Sequence, residues 1–212
     1  MSDIITIGRE FGSGGREFGR RLADLLHIDY YDQEIVSEIA KSTQLAEEYV
    51  HSVMEKKPHV LYPITIGRSI RPDMMSVPQV DRAIYTEQSR ILKEMASKSS
   101  CVIVGRCADE ILKAYHPLRI FVYADVGSRI ERCQSRHTPE ETYTDKEWRQ
   151  KIMEIDKGRS KYYEFYTEKK WGDKQNYDIC INTKNIDIKG FVAHFAKFYL
   201  MWNQKGIDAE RF

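Results

Sequence analysis

Four glycines and two arginines crowd the nine positions Gly8-Arg9-Glu10-Phe11-Gly12-Ser13-Gly14-Gly15-Arg16. Such a run can hold an anion. Glycine lets a phosphate approach the backbone closely, successive N–H groups converge on it, and a following helix adds the positive end of its dipole. The bland alternative is a tight strand-to-helix turn with no ligand. Position favours phosphate, because the run follows a β-branched stretch and precedes an amphipathic one. Phosphate loops of the pattern G-x-x-x-x-G-K-[ST] put a lysine on the β- and γ-phosphates and a hydroxyl on magnesium. With Gly12-Ser13-Gly14 laid on the G-S-G of the G-x-S-G-S-G-K-G-T variant, Arg9 stands at the first glycine, Gly15 at the lysine and Glu17 at the hydroxyl. Arg16, one place on, is the available substitute cation and can grip two phosphate oxygens at once. Glu17 has two readings: a carboxylate ligand for magnesium, or a first-turn acid favoured by the helix dipole.

A second cation stands out by spacing. Trp148, Ile152, Ile155, Arg159, Tyr162 and Tyr166 form a helical stripe that places Arg159 where hydrophobic residues point. A charge there needs a cleft or a partner, and Asp156 is one turn away. Lys157 and Lys161 read as solvated neighbours.

The elements that position these residues follow from periodicity. Ile4-Ile5-Thr6-Ile7 reads as a strand buried on both faces, and Phe18, Leu22, Leu25 and Leu26 as one face of the helix after the glycine loop. Residues 27–32 give a brief second strand, and 33–55 one or two helices broken near Ser42-Thr43. Four of the six prolines fall at Pro58, Pro63, Pro72 and Pro78, which marks a surface excursion and a lid candidate. Val80, Ile84, Ile91 and Met95 mark a helix. Cys101-Val102-Ile103-Val104 before Gly105-Arg106 repeats the strand-then-glycine pattern, and a short helix runs on to Ala114. A strand at 119–123, a helix at 126–136, a strand at 177–181 and an amphipathic helix at 188–202 complete an alternation that predicts a three-layer α/β fold.

Composition sets the outer limits. The chain has 212 residues, 42% hydrophobic and 31% charged, with a formal net charge of +1, so it is an ordinary globular protein whose anion sites must be local. Cys101, Cys107, Cys133 and Cys180 form no C-x-x-C pair, so neither a zinc site nor a disulfide framework is expected, and the thiols read as reduced and buried. No leader-like N-terminus and no run of about 18 apolar residues occurs, so a cytoplasmic protein without a membrane partner is expected. The stretch 143–174 mixes aromatics with seven acidic and nine basic residues, too balanced for a nucleic-acid partner. No H-x-x-x-H pair or G-x-S-x-G elbow supports a zinc enzyme or a hydrolase.

Taken in order, the segments ITIGREFGSGGREFGRRLADLL, YYDQEIV, VIVGRCADEIL and NYDICINT resemble the cytidylate kinase-like family over most of the chain. The resemblance implies a nucleoside monophosphate kinase fold in one P-loop kinase-like domain over 1–212. That fold is α/β, a three-layer αβα arrangement with a parallel five-stranded sheet. It carries an ATP loop, a monophosphate-binding insert at 57–78 and an arginine-bearing helical lid at 143–172. Gly105-Arg106 is similar to the Gly-Arg of a G-R-D motif whose arginine contacts the acceptor monophosphate, with Asp109 as an imperfect replacement for its aspartate. Asp156 and Arg159 match the end of the lid motif R-D-x-x-D-x-x-R, although Ile152 stands at its leading arginine. Arg129 and Arg132 resemble an E-E-R-x-x-R stretch, and serve either phosphate or salt bridges with Glu131 or nearby chain. Asp32 lies where such kinases line the acceptor site, or is the N-cap of the next helix.

The function implied is transfer of the ATP γ-phosphoryl, with Mg2+, to a small nucleotide such as CMP or dCMP, or to a similar acceptor. Arg16, Arg106 and Arg159 are then the catalytic cations. Gly12, Ser13, Gly14, Gly15, Arg16 and Glu17 hold the nucleotide, and Asp32, Arg106, Asp109, Asp156 and Arg159 the acceptor. Such transfer proceeds by positioning and charge, with no general base required. The competing reading is a nucleotide-binding sensor of little or no turnover, because the loop lysine and hydroxyl are missing. A third is a kinase acting on a different small metabolite.

Overall fold

A computed structural model describes residues 3–45, 47, 50, 51, 77–136 and 143–203. Five parallel strands form one sheet in the order β2-β3-β1-β4-β5. They are β1 (Ile4–Arg9), β2 (Asp29–Tyr31), β3 (Cys101–Val104), β4 (Leu118–Tyr123) and β5 (Ile179–Asn182). The central β1 pairs with β3, Ile4 opposite Cys101, and with β4, Arg9 opposite Val122. Side chains alternate across the sheet with a period of two. Ile4, Cys101 and Ile103 therefore enter one apolar layer, and Ile5, Ile7, Val102, Val104, Ile120 and Val122 the other.

Helices cover both faces, as buried parallel strands require. On one face lie α1 (Gly15–Leu26) and the last helix, α7 (Ile188–Asn203), where Phe18 and Leu22 pack against Val192 and Phe195. Phe18 meets Phe195 edge-on, with 5.1 Å between ring centres. On the other face, α2 (Glu34–Thr43) and α3 (Val77–Lys98) supply Ile35, Ile39, Ile84 and Leu92. The short α4 (Ala108–Ile111) follows β3, α5 (Val126–Gln134) follows β4, and the long α6 (Asp145–Thr167) crosses the carboxyl end of the sheet. A capping box starts α6: Thr144 accepts from the Glu147 N–H while the Glu147 carboxylate takes the Thr144 N–H.

The expected alternation is present, with shifted boundaries. The second strand narrows to three residues because it is an edge strand paired only with β3. The last strand starts at Ile179, since Tyr177 closes a short 3-10 turn and turns its ring onto Phe121, 4.9 Å between centres. The predicted insert at 57–78 lies outside the described residues apart from the backbone of the start of α3, whereas the expected lid region contains α6. Of the cysteines, Cys101 and Cys107 are buried, but Cys133 is half-buried and Cys180 exposed, because β5 is the other edge of the sheet. Among the described residues no helix is long and apolar enough to cross a membrane.

Phe18 is fully buried between the sheet and α7. Phe18→Ala is expected to lower unfolding stability by about 3–5 kcal/mol, read as a fall in the urea midpoint at unchanged slope.

Candidate functional site

In an order of 2-3-1-4-5 the chain winds outward in both directions from β1, so the carboxyl end of β1 is the switch point where such sheets leave a crevice. The glycine loop occupies it. Gly12 and Gly14 adopt left-handed backbone, φ 76° and 83°, which only glycine takes without strain. A side chain at Gly12 would run into Cys133 Sγ at 2.9 Å and the Arg129 carbonyl at 3.0 Å. The loop is braced from beneath. Ser13 Oγ donates to the Glu10 carbonyl at 2.8 Å, Thr183 Oγ1 to the Ser13 carbonyl at 2.7 Å, and Arg132 to the Gly12 carbonyl at 2.8 Å. Gly14 caps α1 and brings no side-chain bond, so the first-turn N–H groups and the dipole are what the loop presents.

Over the loop lies a cleft of about 320 Å3. Among the described residues its walls carry Arg9, Arg16, Arg132, Arg136, Lys151 and Arg159 against the carboxylate of Glu10. This is a strongly cationic hollow in a nearly neutral protein, which suits a polyphosphate. Arg159 reaches it from α6 and lies over the Phe11 ring, 5.6 Å from its centre. Arg16 points outward with its side chain 55% exposed, its Nε 2.5 Å from Asp32. Glu17 turns away to Arg21, at 2.7 Å, and to Arg136. Its burial pushes the carboxyl up, but the hydrogen bond from Arg21 and the charge of Arg136 outweigh this and hold it below the usual range.

Behind the loop, Arg129 is 3% exposed in its side chain and joins two carboxylates, Glu10 at 3.0 Å and Asp156 at 2.6 Å. Asp156 also accepts the Phe11 N–H at 2.8 Å, so α6 is bonded directly to the loop. Burial pushes both carboxyls up, against the pull of Arg129. Asp156, expected on the acceptor, thus faces the loop and Arg129. Of the two readings of Arg129 the structure has the salt bridge, though with Glu10 and Asp156 in place of Glu131. Arg132 bonds backbone carbonyls of the loop and of Thr183. Asp32 is not a helix cap, since Gln33 holds that position without a side-chain bond. It is buried against Arg16 and Arg9.

A smaller inner hollow of about 40 Å3 shares Arg9 and Arg159 with the cleft and is further lined by Arg106, Asp109 and the rings of Tyr162, Tyr163 and Trp171. Gly105, Arg106 and Cys107 are three successive left-handed residues, φ 74°, 62° and 52°. That turn costs strain at the two non-glycine positions and aims Arg106 inward, where it is buried. Asp109 accepts the Tyr163 hydroxyl at 2.6 Å, and burial raises its carboxyl above the usual range. Burial likewise raises the Cys107 thiol well above its ordinary value, so that sulfur packs as an inert neighbour. The structure therefore brings together Gly12, Gly14, Gly15, Arg16 and Arg159 in the outer cleft, with Ser13 bracing the loop beneath it, and Arg106, Asp109 and Arg159 in the inner hollow. Glu17, Asp32 and Asp156 lie outside both.

The sequence over residues 4–185 matches the cytidylate kinase-like family. The chain belongs to that family. No curated protein matches it in sequence. Among solved structures, a protein of Eubacterium ventriosum is similar at 30% identity, with 92% of this chain and 97% of that one covered and a TM-score of 0.66. Shikimate kinases from Acinetobacter baumannii, in complex with shikimate (17% identity, 96% of each chain, TM-score 0.53), and from Bacteroides thetaiotaomicron (13%, 94% and 99%, 0.55) share the fold. Family and fold together support a kinase-like phosphotransferase.

For this cytidylate kinase-like protein the cleft fits a nucleotide polyphosphate by charge, volume and glycine backbone. For magnesium, the described residues hold no cluster of three or more metal-binding side chains, and Glu17 and Asp32 are engaged by arginines. Its ligands would come mainly from phosphates and water. Sequence reasoning did not single out Arg136 and Lys151, and it counted Arg9, Glu10 and Phe11 in the glycine run without giving them a role. Arg9 left the clearest signal, as the cation standing at the first glycine of the phosphate-loop pattern.

Asp109 generates a pH prediction. A carboxyl whose folded pKa is raised stabilises the fold below the ordinary carboxylate range, near pH 4, and that stability is lost as pH rises through the folded value. Unfolding free energy of the wild type is expected to fall across this window. Asp109→Asn, which keeps an acceptor for Tyr163, should show a shallower fall in a pH series of urea titrations; an unchanged slope refutes the assignment.

Proposed function

We propose that the protein transfers the γ-phosphoryl of ATP to a nucleoside monophosphate, CMP or dCMP in first place, or to a similar small acceptor. The observation that carries this reading is the cationic cleft over the glycine loop, which shares Arg9 and Arg159 with an inner hollow that holds Arg106. Donor phosphates lie on the loop N–H groups and the α1 dipole, with Arg16 at the rim. Arg106 takes the acceptor's anionic group, and Arg159, projecting from α6, serves both sides. Cations so placed spread charge over the transferred group, and that placement is the main need of this chemistry. Magnesium, when bound with the nucleotide, supplies further neutralisation of the phosphates. Water is the competing acceptor, and α6, bonded to the loop through Asp156, covers the site against it. Asp32 holds Arg16 near the loop as a positioning residue.

A second reading, a nucleotide-binding protein without turnover, is favoured by Gly15 at the lysine position. A third, a small-metabolite acceptor, is favoured by the shared fold of shikimate kinases. One experiment separates them: ADP release in a coupled assay with Mg2+ and ATP over CMP, dCMP, UMP, AMP, GMP and shikimate, with a blank lacking acceptor. Turnover above the blank with CMP or dCMP is expected, reduced about tenfold or more in Arg16→Ala. Activity with shikimate alone moves the acceptor class. No turnover on any acceptor, with ATP binding retained in a titration, replaces the kinase reading with the sensor.

A further inference from the structure

We propose that Arg9 is the cation which ordinary phosphate loops carry as lysine, transposed across the loop from the position now held by Gly15. The inference rests on the ATP-donor reading and adds a catalytic residue to it.

Three observations carry it. Arg9 ends β1 opposite Val122 and is only 7% exposed, so its guanidinium is held within the site rather than at the surface. The two glycines beside it are complementary to it in space. A Cβ on Gly15 would lie 2.6 Å from Arg9 Cβ and 3.2 Å from its Cγ, so the stem of Arg9 fills the room that a side chain at position 15 needs. A Cβ on Gly105, across the crevice, would fall onto the Arg9 guanidinium. The loop has thus exchanged glycine and cation between its first position and its lysine position, and a third glycine makes way for the longer side chain. Finally, Arg9 and Arg159 line both the outer cleft and the inner hollow. A phosphoryl group passing from donor to acceptor crosses between those two guanidinium groups.

Asp32 supports the arrangement. Its carboxylate lies 3.5 Å from Arg9 and 2.5 Å from Arg16, so the buried charge of Arg9 has a counter-ion. Arg16 is more tightly held and more than half exposed, which suits a rim contact. In the transfer, an acceptor oxygen that is already ionised forms a new bond to the terminal phosphorus. The bond to the donor's bridging oxygen breaks, and its electron pair leaves on the diphosphate. Arg9 stays protonated throughout and bridges the equatorial oxygens, which carry the developing charge.

The test is titration calorimetry with ADP and with the non-hydrolysable β,γ-imido analogue of ATP, both with Mg2+. It compares the wild type, Arg9→Gly, Gly15→Lys, the double variant and Arg16→Ala, with folding checked by circular dichroism. Arg9→Gly is expected to weaken the triphosphate analogue about tenfold or more, and ADP about threefold or less. The double variant, with the cation back in the usual place, regains most of the preference for the triphosphate; Gly15→Lys alone, which collides with Arg9, does not. Should Arg9→Gly fail to fold, a folded double variant that prefers the triphosphate as the wild type does supports the proposal, and one without that preference overturns it. Equal losses for both ligands in Arg9→Gly, no loss, or a selective loss in Arg16→Ala instead also overturns it while the donor reading stands. A wild type that binds neither nucleotide removes both.

Discussion

Everything around the site hangs on one guanidinium. Arg129 lies buried between Glu10 of the loop and Asp156 of α6, and Asp156 in turn takes the Phe11 N–H. Three segments distant in sequence, the loop after β1, the helix after β4 and the crossing helix α6, meet in this cluster. A buried cation is tolerated only with partners, and removing one partner strands the rest at a cost of about 3–5 kcal/mol. The cluster therefore sets the seating of α6 on the loop, and with it the place where Arg159 enters the cleft.

The sheet supplies the other constraint. Parallel strands buried on both faces leave their carboxyl ends as the open edge, and the winding of the chain outward from β1 leaves a crevice there. Backbone that must bend sharply at this edge does so through left-handed residues, at Gly12 and Gly14 after β1 and at Gly105, Arg106 and Cys107 after β3. At the second of these turns two side-chain-bearing residues accept the strain, and the result is an arginine aimed into the hollow. Cations then accumulate in a protein of net charge +1 because the fold gathers them, not because the chain is basic.

Much of this was legible in advance. The glycine loop between a buried strand and a helix, the alternation of elements and the inward place of Arg159 on its helical stripe all follow from local pattern. Arg106 was legible as the residue after a strand's carboxyl end. Other contacts were not. Asp32 looked equally suited to cap α2, but a carboxylate beside two arginines binds them more strongly than it binds helix N–H groups. The resemblance set Asp156 beside the acceptor and left Arg129 between phosphate and a salt bridge, because nothing in either segment signals that they are neighbours. Glu10 and Phe11 were legible only as members of the glycine run, since their contacts depend on α5 and α6 lying beside them.

The sequence by itself determined the periodicities, the places where only glycine fits and the family to which the chain belongs. Those properties are local, set by the pleat of a strand, the turn of a helix and the steric limits on φ. Tertiary structure alone decided which charges meet. Arg129 finds Asp156 27 residues away, and Arg132 finds Thr183 51 residues away, only because parallel crossovers return distant segments to one edge of the sheet. The place of Arg9 is of the same kind: its meaning depends on Gly15 and Gly105 standing beside it in space, and packing, not spacing, puts them there.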